Sequence, residues 1–216
     1  MKFILFSFLS CFFVLGYLRA QTPLLSVDFN AGAKTPSPTM VGFEQFDVSA
    51  GERTGPISIS FPVQEKDYPS GIGVTLTTGK SIDEAGRLTG RVWKVEHGDF
   101  TAADLYFDAI CSADGKPLVL ELTGLKPSRR YQLQFYCFSP TKPGSVKITD
   151  ISSGEPADSA EGEWNNEFQF SESTSESIFM VTLAADSTSG GKIIVLINNK
   201  LGTAVLNGFR ILQQKP

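Results

Sequence analysis

Polar and apolar residues alternate along most of this chain, most clearly from Ser177 onward. Ser177–Ala184 alternates, a Ser/Gly turn follows, and Lys192–Asn198 runs apolar. Thr203–Leu212 then closes with Ala-Val-Leu-Asn-Gly-Phe-Arg-Ile-Leu. The period of two predicts a strand, a loop, a strand, a tight turn at Asn199–Gly202 and a final strand. That last strand is expected to close a self-contained sheet structure. Asn207-Gly208 inside it is expected to be a turn or bulge that lets the strand dock.

The same pattern extends upstream. Leu24–Phe29 alternates and meets Asn30-Ala31-Gly32, which predicts a first strand and a turn. Lys34–Thr39 is a Pro/Ser/Thr-rich loop, and Val41–Val48, with Phe43 and Phe46, is a short strand candidate. Ile57–Val63 and Ile72–Thr78 are strands, and Pro62 points to an edge position for the first. Lys80–Gly90 is expected to be a surface loop, and Arg91–Val95 a short strand carrying Trp93. In Thr101–Ser112 the period changes. Ala102, Leu105, Tyr106, Ala109 and Ile110 fall at helical spacing, which predicts one short helix near residues 101–112. Leu118–Leu122 and Tyr131–Phe138 alternate and are expected to pair side by side. Ser145–Ile151 is a strand, Ser152–Gly162 a polar loop, and Glu163–Phe170 a strand with Trp164, Phe168 and Phe170 in phase. About eleven strands with frequent turn signals and no repeat predict an all-β fold. The specific expectation is an antiparallel two-sheet β-sandwich of jelly-roll type with one short helix.

The N-terminal segment departs from this pattern. Lys2 is followed by an apolar stretch, Phe3–Leu18, and then Ala20. This is the signature of a secretory signal peptide over residues 1–20, with residues 21–216 forming one domain. An uncleaved N-terminal anchor is the alternative. The stretch is shorter than the ~20 residues of a membrane-spanning helix. The expected location is secreted, periplasmic or cell-surface. Loss of Lys2 and Arg19 takes the formal charge from −4 to −6. An acidic chain without a basic stripe argues against nucleic acid as partner, and against an anionic membrane surface.

Export bears on the cysteines. Cys11 leaves with the signal, and Cys111 and Cys137 remain. They either form a disulfide, which an exported chain permits, or stand as two buried thiols. A bridge would close a loop of about 25 residues, worth ~3 kcal/mol in the chain-entropy picture.

Three segments carry a resemblance: Val27-Asp28-Phe29-Asn30-Ala31-Gly32, the strand pair Leu120-Glu121-Leu122 and Tyr131–Tyr136, and Ala204-Val205-Leu206-Asn207-Gly208-Phe209. Through them the chain resembles the galactose-binding-like jelly rolls, including malectin-like and carbohydrate-binding modules. It resembles still more closely a group of secreted domains of planctomycete- or verrucomicrobia-like bacteria. That group shares the elements Gly42–Phe46 and Asp104–Asp108 and the Leu-Asn-Gly-Phe ending. The resemblance spans nearly all of residues 21–216 and implies a sugar-binding sandwich. It carries no binding residue to a position here, since none of the family's loop aromatics can be matched residue by residue. It does imply a structural calcium near the first strand, for which Asp28 is the candidate ligand. An ordinary turn carboxylate is the alternative reading of Asp28.

Catalytic constellations are sparse. The single histidine, His97, is not accompanied by a Gly-x-Ser-x-Gly elbow, and one histidine with two distant cysteines does not make a zinc site. Glu96 with Asp99, and Asp104 with Asp108, are the carboxylate pairs that glycoside cleavage would need. Each is more simply a solvated face. Among the aromatics, Trp164 stands beside Asn165 and Asn166 and next to a long polar loop. A flat ring with amides nearby is what a sugar site uses. Tyr68 and Trp93 are weaker candidates, and core packing competes for all three.

The expectation is therefore a secreted, non-catalytic binding module for carbohydrate or cell-surface glycan, with no cofactor beyond the calcium. The alternative is a structural or adhesion protein of the bacterial cell envelope. A carboxylate-based hydrolase or lyase is the third reading.

Overall fold

The computed structural model describes residues 22–31, 39–48, 52–93, 101–165, 168, 174–200 and 202–213. The chain begins with β1 (Leu25–Asn30), β2 (Glu44–Asp47), β3 (Glu52–Thr54), β4 (Ile57–Phe61), β5 (Ile72–Thr78) and β6 (Arg87–Val92). A single helical turn and a half, α1 (Thr101–Tyr106), leads into β7 (Asp108–Ser112), β8 (Leu118–Thr123), β9 (Arg130–Tyr136), β10 (Gly144–Asp150) and β11 (Ser159–Trp164). After a 3-10 turn at Glu176–Phe179 come β12 (Met180–Asp186), β13 (Ile193–Asn199), β14 (Val205–Leu206) and β15 (Gly208–Gln213).

These strands build a β-sandwich. One sheet has the order β12-β9-β15-β1-β2, the other β11-β10-β13-β8-β5-β4, and a third of order β14-β7-β6-β3 flanks them. All pairings are antiparallel except β1 with β2. Leu133 and Phe135 of β9, Phe209 and Ile211 of β15, Leu76 of β5, Leu120 of β8 and Val195 of β13 join one continuous apolar core. Each such side chain adds roughly 1.5–3 kcal/mol of burial.

Most strands fall where the alternation placed them, and β4 lies at a sheet edge as Pro62 indicated. Four expectations need correction. The helix stops at Tyr106, and Ala109 and Ile110 lie on β7, whose five residues are all buried. A strand buried on both faces has no alternation, so its apolar run mimics a helical spacing. The loop predicted over Lys80–Gly90 gives way to β6 at Arg87, and β11 begins at Ser159 inside the segment expected to be loop. The Leu118–Leu122 and Tyr131–Phe138 strands are not neighbours: β8 lies between β13 and β5, β9 between β12 and β15. The turn joining them passes from one sheet to the other, with Gly124 at φ 79° and its α-carbon packed against the Gly71 carbonyl. Of the two readings of the cysteines, the structure shows buried free thiols: Cys111 and Cys137 are not bridged. Cys137 sits in the main core, while Cys111 belongs to a separate small cluster with Trp93, Ala109 and Val205.

Asn207 is the point at which the closing segment changes sheets. β14 pairs with β7 in the flanking sheet, and β15 enters the five-stranded sheet between β9 and β1. The fully buried Asn207 side chain holds this crossing. Its Oδ1 accepts from the Phe138 amide at 2.7 Å, and its Nδ2 donates to the Asp108 carbonyl at 2.8 Å. The sequence N-terminal to residue 22, including the segment expected to be a signal peptide, lies outside the described residues. No helix among the described residues is long and apolar enough to cross a membrane.

Candidate functional site

The hairpin of β10 and β11 sets the first wall of a cleft. Gly144 pairs with Trp164, and the absence of a side chain at Gly144 leaves room for the indole. A β-carbon on Gly144 would fall 2.0 Å from Cζ2 of the ring. The Trp164 Nε1 donates to the Lys142 carbonyl at 2.9 Å, which ties the Ser139–Pro143 loop to the end of β11. Within that loop the hydroxyls of Ser139 and Thr141 are 3.0 Å apart. The opposite wall comes from the flanking sheet. Trp93 follows β6, and its neighbours Cys111 and Val205 lie on β7 and β14.

Between these walls is a cleft of about 150 Å³. Trp93 and Trp164, the two tryptophans of the chain, both border it. Ser139, Thr141, Asn199 and Thr203 supply hydroxyl and amide groups, and Arg91 and Lys142 supply positive charge. No Asp, Glu or His is among its described lining residues. Each indole is largely packed, with 8% of Trp93 and 6% of Trp164 exposed, so each offers the cleft only a small part of its surface. The competing expectation of core packing for the aromatics is thus met together with cleft lining. Asn165 is exposed just beyond Trp164, and Asn166 lies outside the described residues.

Tyr68 is elsewhere. It is 2% exposed, and its hydroxyl lies 3.0 Å from that of Tyr131 and donates to Gln213 Oε1 at 3.0 Å. Tyr131 in turn accepts from the Lys126 amide at 2.9 Å, and the Lys126 ammonium lies over the Tyr68 ring at 5.5 Å. Burial first, and then the Tyr131 hydroxyl, raise the Tyr68 pKa. The residue borders a shallow groove with Pro62 and Pro69. Tyr131 lies at the start of β9 while Ser139 lies past its far end, so groove and cleft are separated by the length of that strand, ~20 Å. Tyr68 is a structural tie and does not join the tryptophans.

The carboxylates are also distributed differently from expectation. Asp104 and Asp108 do not share a solvated helix face: Asp104 is on α1, and Asp108 is fully buried on β7. Asp108 Oδ2 accepts from the Ala31 amide at 2.7 Å. Asp28 is equally buried, and its Oδ2 accepts from the Met40 amide at 2.8 Å while Oδ1 has no partner. Burial, with smaller contributions from Asp108 and Asp104, pushes the Asp28 carboxyl up to about 8. Calcium needs six to eight oxygens around it. Among the described residues no three His, Cys, Asp or Glu side chains gather to hold a metal. His97, Glu96 and Asp99 lie outside the described residues.

Reading the sequence identified both tryptophans but missed Arg91, Lys142, Ser139, Thr141, Asn199 and Thr203. The one signal available was Gly144 at the start of a strand, where a missing side chain marks close approach of another group. Arg91 and Lys142 could not be found, because strand order alone brings β6 and the β9–β10 connection to one place.

Fold and cleft together define a β-sandwich with a small cleft lined by aromatic, hydroxyl and cationic groups. No protein-family model matches the chain, and no curated protein matches it. Among solved structures it is similar to the crystal structure of the enzymatically active domain of bacteriophage CBA120 tailspike protein 4. The TM-score is 0.28 and the identity 14%, over 65% of this chain and 18% of that chain.

Proposed function

We propose that this domain is a secreted, non-catalytic binding module whose ligand is a carbohydrate. The observation that carries the reading is the meeting of Trp93 and Trp164 in one cleft with Ser139, Thr141, Asn199 and Thr203. Apolar indole surface suits the C–H groups of a sugar ring, and hydroxyls and amides suit its oxygens. The described lining residues include no carboxylate or imidazole to serve as a proton donor or base, which favours binding over cleavage. The resemblance to galactose-binding-like jelly rolls points the same way.

A volume of about 150 Å³ lies below the ~300 Å³ floor of ordinary ligand pockets, so one saccharide unit at a chain end is the fitting occupant. Affinity electrophoresis of the purified domain through gels cast with neutral and acidic polysaccharides tests the reading. Retardation by at least one polymer is expected, with loss in Thr141→Trp, which fills the cleft from its exposed rim and leaves the core intact. Unretarded migration through every gel overturns the proposal.

A further inference from the structure

We propose that the saccharide unit taken by the Trp93–Trp164 cleft is anionic, its carboxylate or sulfate held between Arg91 and Lys142. This rests on the carbohydrate reading above and specifies its ligand class.

The first support is a local reversal of charge. The chain has 23 acidic and 19 basic residues, yet the described residues of the cleft lining include two cations and no carboxylate. The second is that these cations are uncommitted. Eight other lysines and arginines form ion pairs: Arg87, Lys116, Lys126, Arg130, Lys147, Lys192, Lys200 and Arg210. Arg91 and Lys142 pair with no described carboxylate. Two like charges at one small opening repel each other, and an anion between them relieves that repulsion.

The third support is rigidity. Arg91 is carried by β6, where it stands opposite Ala109 of β7. Lys142 is carried by a loop whose backbone is pinned through its own carbonyl to the Trp164 indole. The cations therefore come from separate elements whose backbones are fixed before any ligand arrives, which lowers the ordering cost of binding. The positive potential reaches the cleft floor as well. Burial raises the Cys111 thiol to about 12, and the Arg91 guanidinium is the one group opposing that rise. A guanidinium matches the planar carboxylate and the sulfate edge alike, and an ammonium adds a point charge.

The test uses affinity electrophoresis with polygalacturonate, alginate and carrageenan, and with carboxyl-reduced polygalacturonate as the uncharged polymer of the same backbone. Retardation by at least one acidic polymer is expected, at least tenfold stronger than by the reduced one. Polygalacturonate or alginate marks a carboxylate ligand, and carrageenan a sulfate ligand. Arg91→Gln and Lys142→Gln should each weaken binding at least fivefold with unchanged thermal midpoints. Lys66→Gln, an exposed cation on the β4–β5 connection, should not. Equal retardation by the reduced polymer, insensitive to Arg91→Gln and Lys142→Gln, overturns the anionic assignment while the carbohydrate reading stands. No retardation by any polymer overturns both. Competition by inorganic sulfate as strong as by the sugar acid would also overturn it, because the cleft would then recognise the charge without the ring.

Discussion

The Trp164 indole lies against the α-carbon of Gly144, its partner across the β10–β11 ladder. Because a β-carbon at Gly144 would sit 2.0 Å from Cζ2, Gly144→Ala cannot be accommodated without moving the ring. Moving it breaks the Nε1 bond to the Lys142 carbonyl and unpins the loop that lines the cleft. The expected cost is about 1–3 kcal/mol, the usual range for overpacking a filled site. Urea unfolding checks the stability, and indole fluorescence checks the ring. A variant with both unchanged would show that the ring is not confined as described.

The cleft shows what was legible in the sequence. Trp93 and Trp164 stood out singly, because a large aromatic beside polar residues is visible in a linear string. Their meeting was not visible, since it depends on the flanking sheet lying beside the β10–β11 hairpin. The strands show the same division. Alternation located β5, β8 and β9 almost residue for residue, because period two is a local property of the pleat. It gave no information on partners, so β8 and β9 were placed side by side when they lie in different sheets. β7 was lost for a different reason: all five of its residues are buried, and its run of apolar residues could be taken for a helix.

Asn207 makes a prediction about how the sheets are joined. Its side chain satisfies a buried amide of Phe138 and a buried carbonyl of Asp108. Asn207→Ala removes both bonds, and a buried group that loses its partner costs ~1–3 kcal/mol. A combined loss of about 2–5 kcal/mol is expected in chemical denaturation. Asn207→Asp should restore only part of it, because the carboxylate still accepts from Phe138 but meets the Asp108 carbonyl with an oxygen. Full stability in Asn207→Asp would contradict the donor assignment at Nδ2.

Asp28 sets the pH dependence. Its ordinary value is 3.8, and burial in the fold pushes it up to about 8. Between these values the folded chain holds a proton that the unfolded chain has released. Stability from this group is therefore complete below pH ~4, falls by at most ~1.4 kcal/mol per unit as pH rises, and is gone above ~8. The groups facing it are the Met40 amide, which favours the charged form, and Asp108 and Asp104, which oppose it. Asn at this position keeps an acceptor for the Met40 amide and does not titrate. Urea midpoints measured from pH 5 to 9 should decline in the parent and stay flatter in Asp28→Asn, with the variant more stable at the alkaline end. Parallel profiles would show that Asp28 is not the titrating group.

The two thiols give the last prediction. Cys137 is 2% exposed in the main core, and burial raises its pKa. Cys111 is 1% exposed beneath the cleft, where burial raises it to about 12 despite Arg91. The thiolate is the form that attacks a disulfide reagent, so both groups are shielded twice, by access and by protonation. In the folded protein at pH 8, an aromatic disulfide reagent should titrate neither residue within minutes. In guanidinium without reductant it should titrate both at once, because they are free rather than bridged. In protein that begins after residue 20, and so lacks Cys11, the unfolded reading separates the two cases: two equivalents mean two thiols, and none would mean an oxidised pair. Slow reaction of the folded protein at one equivalent should come from Cys111, the thiol beneath the cleft. Filling that cleft with Thr141→Trp should suppress it, and unchanged reactivity in that variant would show that reagent reaches Cys111 by another route.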